Sequence, residues 1–356
     1  MTDILPFLKS LLSVSGLSAY ETPAARLIEE KWSPLADEVQ RSRLGSLHAL
    51  KKGTGKSPRP SILLAAHMDA IGLIVKKVVD GFLYVASVGG VDVRVLPGTP
   101  VLVYATGLGR AAELPGVVAM PSARLLPEGA SSGFLRMEHL VVDTGLTPGE
   151  VSKRVRVGDL AAFNTEPVEM SGETVSGHSL DNRASVAALT VCLEELRSKS
   201  HVWDVWAAAT SQEEVGAQGA ATSAFQLRPD VAVAVDTTYG KGPGVNGWDS
   251  FPIGKGLTLG LGPNNHPFLF KRFKELAERL EIPCAVEPMP AHSGTDAEMM
   301  QLAAEGIPSI VLGIPIRNMH TPVELASVKD IQRTGRLLAE FVAGLEADFI
   351  EKVAWD

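Results

Sequence analysis

The chain is 356 residues long, 45% hydrophobic, and carries a net charge of −8. Such a length buries a large core and predicts two folding units rather than one. The acidic balance, with no cluster of Lys and Arg, excludes a nucleic-acid surface, and the apolar runs, all strand-length, exclude a membrane span of roughly 20 residues.

In chain order, Met-Thr-Asp-Ile-Leu-Pro has neither a basic region nor a sustained apolar block, so no secretory signal is read and a cytoplasmic location is expected. Thr22-Pro23, ahead of Ala24 to Trp32, reads as an N-cap with proline at the first position of an amphipathic helix. Ser61 to Ala66 reads as a buried strand. From about Ala70 to Asn164 the texture changes to short Val-rich runs punctuated by Gly and Pro, with a hairpin signal at Asp80-Gly81 and almost no helical periodicity. A small β-barrel or sandwich, inserted into a larger fold, is predicted there. Beyond it, helices near Ala184 to Ser198, Pro267 to Leu280, Asp296 to Ala304 and Val328 to Ala347 alternate with apolar strands. That alternation implies an α/β fold with a mixed, mostly parallel sheet covered by helices. The expected division is 1–69 and 167–356 for the covered sheet, with 70–166 as the inserted unit. Cys192 and Cys284, the only cysteines, read as buried core thiols in a reducing compartment. His48, His139, His201, His266 and His292 are expected on the surface or in loops.

Several apolar runs end on acid or imidazole groups. Ser61 to Ala66 ends on His67 and Asp69, Val205 to Ala209 leads to Glu213 and Glu214, Val231 to Val235 ends on Asp236, and Ile307 to Pro315 shortly precedes His320. Asp181 lies in a Gly- and Ser-rich turn before a helix. Ligands of open α/β sheets bind at the carboxyl ends of the strands. Taken singly, each residue has a plainer reading: a buried histidine with an Asp partner, a helix cap at Asp181, an acidic loop at Glu213-Glu214. As a set they carry a charge that closes, because Asp181, Glu214, Asp236 and one hydroxide balance two divalent cations. Without cations these carboxylates would repel one another or shift their pKa values upward. Mixed carboxylate and imidazole donors suit zinc, cobalt or manganese better than magnesium or calcium. His67 and Asp69, two apart, point to one face, so one can bind metal while the other fixes its tautomer.

His67-x-Asp69, Ser-Gly-His-Ser-Leu-Asp181-Asn-Arg-Ala, Glu213-Glu214-Val-Gly, Val-Asp236-Thr, Ser-Gly-Thr295-Asp296-Ala and Arg-Asn-Met-His320-Thr-Pro-Val-Glu together resemble the M42 family of dinuclear metallo-aminopeptidases. That family includes the self-compartmentalising TET peptidases and members once labelled endoglucanases. The resemblance covers nearly the whole chain, and the long interval between His67 and Asp181 favours this family over the M20 pattern. It implies that Asp181 bridges two divalent ions, zinc foremost with cobalt or manganese as alternatives. His67 and Asp236 would hold one ion, Glu214 and His320 the other, with Glu213 as general base and Asp69 supporting His67. It also implies a cis peptide bond after Asp181, peptide substrates approached by Thr295 and Asp296, and a homo-oligomer, a dodecamer built from dimers, to which the inserted unit contributes contacts and substrate access. Asn318, where an aromatic residue is common, and Leu44-Gly45-Ser46-Leu47, in place of a Gly-Asn pair, depart from the family pattern without touching a ligand.

The activity expected is metal-dependent removal of N-terminal residues, with Glu213 taking a proton from water and returning it to the leaving amine. Two alternatives stand beside it, hydrolysis of a non-peptide amide and a catalytically silent family member. A glycosidase would use two carboxylates but has no need of His67, Asp236 and His320.

Overall fold

A computed structural model describes residues 3–109, 112–122, 124 and 135–355. The rest of the expected insertion, residues 110–111, 123 and 125–134, lies outside the described residues.

The larger body is an eleven-stranded mixed sheet. Its centre is the parallel ladder that the βα alternation implied, formed by Asp204–Thr210, Ser61–His67, Val231–Tyr239 and Ser309–Arg317 in that order. Antiparallel strands extend both flanks. Leu47–Lys51 and Glu38–Arg41 continue one side, while Glu324–Ser327, Thr174–Gly177 and Val168–Met170 continue the other. Leu257–Leu261 also pairs with Ser309–Arg317, and Cys284–Pro288 lies outside it.

Both faces of the centre are buried, which is why its strands are apolar throughout rather than alternating. Ile62, Leu64 and Ala66 point into the major core, with the helices Leu5–Leu12, Leu180–Glu195, Pro267–Arg279 and Val328–Ala343, whereas Leu63 and Ala65 face Gln218–Leu227 and Asp296–Gln301. Trp32 is fully buried and donates its indole N–H to Thr190 Oγ1 at 2.8 Å.

The inserted segment closes into a six-stranded antiparallel barrel, in the order Gly72–Val79, Phe82–Val88, Val141–Asp143, Ala112–Ala119, Pro100–Ala105 and Leu160–Phe163. Asp80 and Gly81 carry φ of 51° and 85°, as a two-residue turn between twisted strands requires. The barrel has its own core, which includes Leu73, Val85, Val103 and Val142.

Four expectations need correction. The insertion contains a helix, Pro148–Arg154, whose Thr147 and Glu150 form a reciprocal capping box that is legible in Thr-Pro-Gly-Glu. Thr22 is the first residue of its helix rather than the cap, the cap position being Glu21. His48 is in neither place but buried on the strand Leu47–Lys51, 2.8 Å from Ser223 Oγ; His201 and His266 lie in loops as expected, though both are buried, against the Trp203 carbonyl at 2.7 Å and the Trp355 ring. Cys192 is buried as expected, but Cys284 is only half-buried, since its strand is at the sheet's margin; both thiols are free. No helix of the described residues is long and apolar enough to cross a membrane.

Candidate metal centre

His67 ends its strand opposite Thr210, and Asp236 lies on the adjacent strand opposite Gly313. The chain leaves these strands at one edge of the sheet, where it delivers Asp69, Glu213 and Glu214 to a shared cleft. Glu213 and Glu214 face it together because the chain turns there, with Gln212 at φ 59° and the Glu213 carbonyl accepting from Gly216 and Ala217 N–H at 2.9 and 3.1 Å. Asp181 enters from the start of Leu180–Glu195, where its own dihedrals are non-helical and the bond to Asn182 is cis. His320 follows Ser309–Arg317 in a tight turn at φ 63°.

Asp181 is the centre of the cluster. Its Oδ1 is 3.2 Å from His67 Nε2 and its Oδ2 is 3.4 Å from His320 Nε2. On the first side His67 Nε2 is 3.7 Å from both Glu213 Oε2 and Asp236 Oδ1, and on the second His320 Nε2 is 3.7 Å from Glu214 Oε2. The donors thus fall into two groups that share one carboxylate. Donor atoms of His67, Asp181 and Glu214 all lie within 4.8 Å of one another. Glu214 Oε1 is buried with no protein hydrogen-bond partner, an arrangement that a cation would satisfy.

Electrostatics point the same way. Burial pushes the Glu213 carboxyl up to about 8, against the pull of His67 and reinforced by Asp296, Glu214 and Asp181. Burial likewise raises Glu214 to about 7, with Asp181 adding to it. Asp236 is driven well above the carboxylate range by burial and by its acidic neighbours, which outweigh His67. Asp181 moves in the opposite direction: burial would raise it, but hydrogen bonds from His320 and His67 hold it below its ordinary value. Hydrogen bonding to Asp181 in turn lifts His320 to about 9. The cluster therefore holds more acid than it can ionise unaided, and its donor types fit divalent metal ions.

Asp69 builds the frame. His67 Nδ1 turns away from the cluster and lies 3.2 Å from the Asp69 carbonyl and 3.4 Å from Oδ1. The buried Asp69 carboxylate also accepts from Ser18 Oγ at 2.6 Å and from the main-chain N–H groups of Glu213 and Glu214 at 3.0 and 3.2 Å. Thr295 caps Asp296–Gln301, accepting from Ala297 N at 3.3 Å, and lines the cleft. Asp296 lies beneath it, buried, with the Thr210 hydroxyl donating to its carboxylate. The cleft encloses about 530 Å³.

The family model described as M42 glutamyl aminopeptidase matches residues 45–337. The chain belongs to the M42 peptidase family. It is 34% identical over 335 residues to the lysyl aminopeptidase of Pyrococcus furiosus, spanning 93% of this chain and 94% of that one. Its fold superposes on a TET aminopeptidase from the marine sediment archaeon Thaumarchaeota archaeon SCGC AB-539-E09 with a TM-score of 0.92 at 28% identity, covering 99% of each chain. The TET1 peptidase of Pyrococcus horikoshii, which can assemble into a tetrahedron or a large octahedral shell, matches with a TM-score of 0.83 at 26% identity over 96% of this chain and 100% of that one. This M42 chain is thus an enzyme of the peptidase class.

Three contributors to the M42 site escaped the sequence reading. Glu324 is buried and accepts from Asp181 N at 3.1 Å and His320 N at 2.9 Å, tying the central carboxylate to the second histidine. Glu21 accepts from Gln212 N at 3.1 Å and Ala19 N at 2.7 Å, joining the N-terminal segment to the Glu213 turn. Gly89 and Gly90 carry the barrel to the site: a Cβ on Gly90 would meet His320 Nδ1 at 2.7 Å, and one on Gly89 would meet Glu214 Oε2 at 3.2 Å. Nothing local in the Pro-Val-Glu after His320 marks Glu324 as a hydrogen-bond acceptor. The two departures from the family pattern have physical explanations. Asn318 adopts φ 56°, which suits asparagine better than an aromatic residue. Ser46 Oγ accepts from Ser211 N at 3.2 Å, bracing the strand end before Glu213.

Proposed function

We propose that this chain removes N-terminal residues from peptides with the help of two divalent metal ions, zinc foremost and cobalt or manganese as alternatives. Asp181 would serve both ions, His67 and Asp236 would hold one, and Glu214 and His320 the other. The observation that carries this reading is the placement of each Asp181 oxygen against a different imidazole, at 3.2 and 3.4 Å. When bound, the metals supply Lewis acidity toward the scissile carbonyl and acidify a nearby water.

The protein's own groups do the rest. Glu213, within 3.7 Å of His67 and with its carboxyl raised by burial, would be the group that accepts a proton from the attacking water and returns it to the leaving amine. Asp69 fixes both the His67 ring and the Glu213 turn, so base and ligand move together. The surrounding carboxylates attract a free α-ammonium group, which sets the register at the first residue of the substrate. The segment 70–166 serves as a separate module that frames the cleft through Gly89 and Gly90 and contributes contacts between copies. The chain assembles into a homo-oligomer, a dodecamer built from dimers; the TET1 relative's tetrahedron or octahedral shell and a TET1 structure with a dodecamer in its asymmetric unit support a multimer. The free thiols of Cys192 and Cys284 support a reducing, cytoplasmic setting.

A panel of aminoacyl-4-nitroanilides, assayed with zinc- and cobalt-loaded protein and compared with N-acetylated counterparts, tests the reading. Cleavage of the free-amine substrates alone is expected; equal cleavage of the acetylated ones would reject an aminopeptidase.

A further inference from the structure

The family description names glutamyl substrates and the Pyrococcus furiosus relative is named for lysyl ones, so the preference of this chain must come from its own cleft. Glu287, on the marginal strand Cys284–Pro288, lines that cleft. Its Oε1 accepts from Thr238 Oγ1 at 2.6 Å and its Oε2 from Thr258 Oγ1 at 2.5 Å. Thr238 lies two residues beyond Asp236 on the same strand, which places it on the same face and about 7 Å farther along. Gly313 keeps the path open, since a Cβ there would lie 3.0 Å from Glu287 Oε2.

Among the described residues Glu287 has hydroxyl donors but no ion-pair partner. Burial raises its pKa against those hydroxyls, with the Asp249 carboxylate adding to the rise. Glu298, the other carboxylate of the cleft outside the metal cluster, is committed to its own loop, accepting from Gly294 N at 2.7 Å and lying 3.2 Å from His292 Nδ1. Met289 and Met299 also line the cleft and offer apolar, adaptable walls. Methionine walls and a carboxylate without a counter-cation in one cleft match a side chain with a long aliphatic stem and a cationic tip. A leucine tip would leave the carboxylate further desolvated with no counter-ion, and an acidic one would be repelled.

We propose that Glu287 is the specificity-determining residue of this cleft and selects peptides whose first residue is lysine or arginine. The proposal rests on the aminopeptidase reading above. Its test is kcat/KM of the metal-loaded protein on the 4-nitroanilides of Lys, Arg, Leu and Glu, with Glu287→Gln alongside. The wild type is expected to favour Lys and Arg, and Glu287→Gln to lower the Lys/Leu ratio about 10- to 100-fold, the range of a lost charged hydrogen bond. A wild type that prefers Leu or Glu, or a ratio unmoved by the substitution, overturns the role of Glu287 and leaves the aminopeptidase reading standing. Absence of turnover on every substrate with metal bound overturns that reading instead. In that event calorimetric binding of L-lysine against L-leucine decides the proposal, tighter lysine supporting it and equal affinity overturning it. If Glu287→Gln does not fold, Thr258→Val removes a donor that holds the carboxylate and should lower the same ratio; an unchanged ratio there counts against the proposal.

Discussion

Asp69 shows how one buried carboxylate can organise a site without facing it. Because it holds His67 from behind and the main chain of Glu213 and Glu214 from the side, it allows Glu213 to be changed without disturbing the ligands. Glu213→Gln should therefore retain metal, read by elemental analysis, while kcat falls about 100- to 10,000-fold; unchanged turnover would remove Glu213 from the role of base. Glu324→Gln should act differently. An amide offers one acceptor where two N–H groups need one each, so metal affinity should drop about 10- to 100-fold, measured by competition with a chelator. A third expectation concerns acid stability. Burial lowers the His48 imidazole to about 4 from an ordinary 6.5, so between those values the unfolded chain binds more protons than the folded one and stability falls as the pH drops. At pH 5 this amounts to about 2 kcal/mol, and His48→Gln should remove that share of the slope in urea unfolding compared at pH 7 and pH 5. His67, Glu213, Glu214 and Asp236 could be singled out in the sequence because apolar runs end on or just before them, and Asp181 because a Gly- and Ser-rich turn delivers it ahead of a helix. Glu324, Glu21 and the burial of His48 could not, because their partners are brought together only by the sheet.

At the level of elements, strand ends place His67 and Asp236, while turns and a helix start aim the other proposed ligands. Periodicity found the long helices because a single apolar stripe recurs over several turns. It missed Gln218–Leu227, whose Ala-rich buried face and polar exposed face contrast only weakly. It ran four residues past Ala343, where Gly344 ends the helix. The glycine pair at the barrel's tip illustrates a constraint that composition hides. Gly90→Ala would push a methyl group to 2.7 Å from His320 Nδ1, and the far side of that ring is already engaged, Nε2 lying 3.4 Å from Asp181 and 3.7 Å from Glu214. We expect Gly90→Ala to weaken metal binding and lower kcat while the melting temperature of the metal-free protein stays within a few degrees; full activity would show that the tip yields instead.

Across the whole molecule, the crowding of buried carboxylates with raised pKa values predicts a protein stabilised by divalent cations. Exhaustive chelation should abolish turnover and lower the melting temperature, and zinc or cobalt should restore both, since saturation at a thousandfold excess over Kd contributes about 4 kcal/mol. Full activity in metal-free protein would be incompatible with the proposed mechanism. Light scattering should give a mass several times that of one chain. The division into a covered sheet and an inserted barrel was legible from the change of texture near Ala70 and Asn164, whereas the antiparallel flanks of the sheet were not, because short half-buried strands carry little periodicity.

Closing the barrel leaves its strands without a free edge, yet Asp92 N–H reaches the His320 carbonyl at 3.3 Å. The barrel can therefore be exchanged between homologues as a graft, but never as an inert one. A chimera carrying a foreign barrel should fold and still bind the second ion more loosely, until the loop around Gly89 and Gly90 is transplanted back along with its native histidine turn.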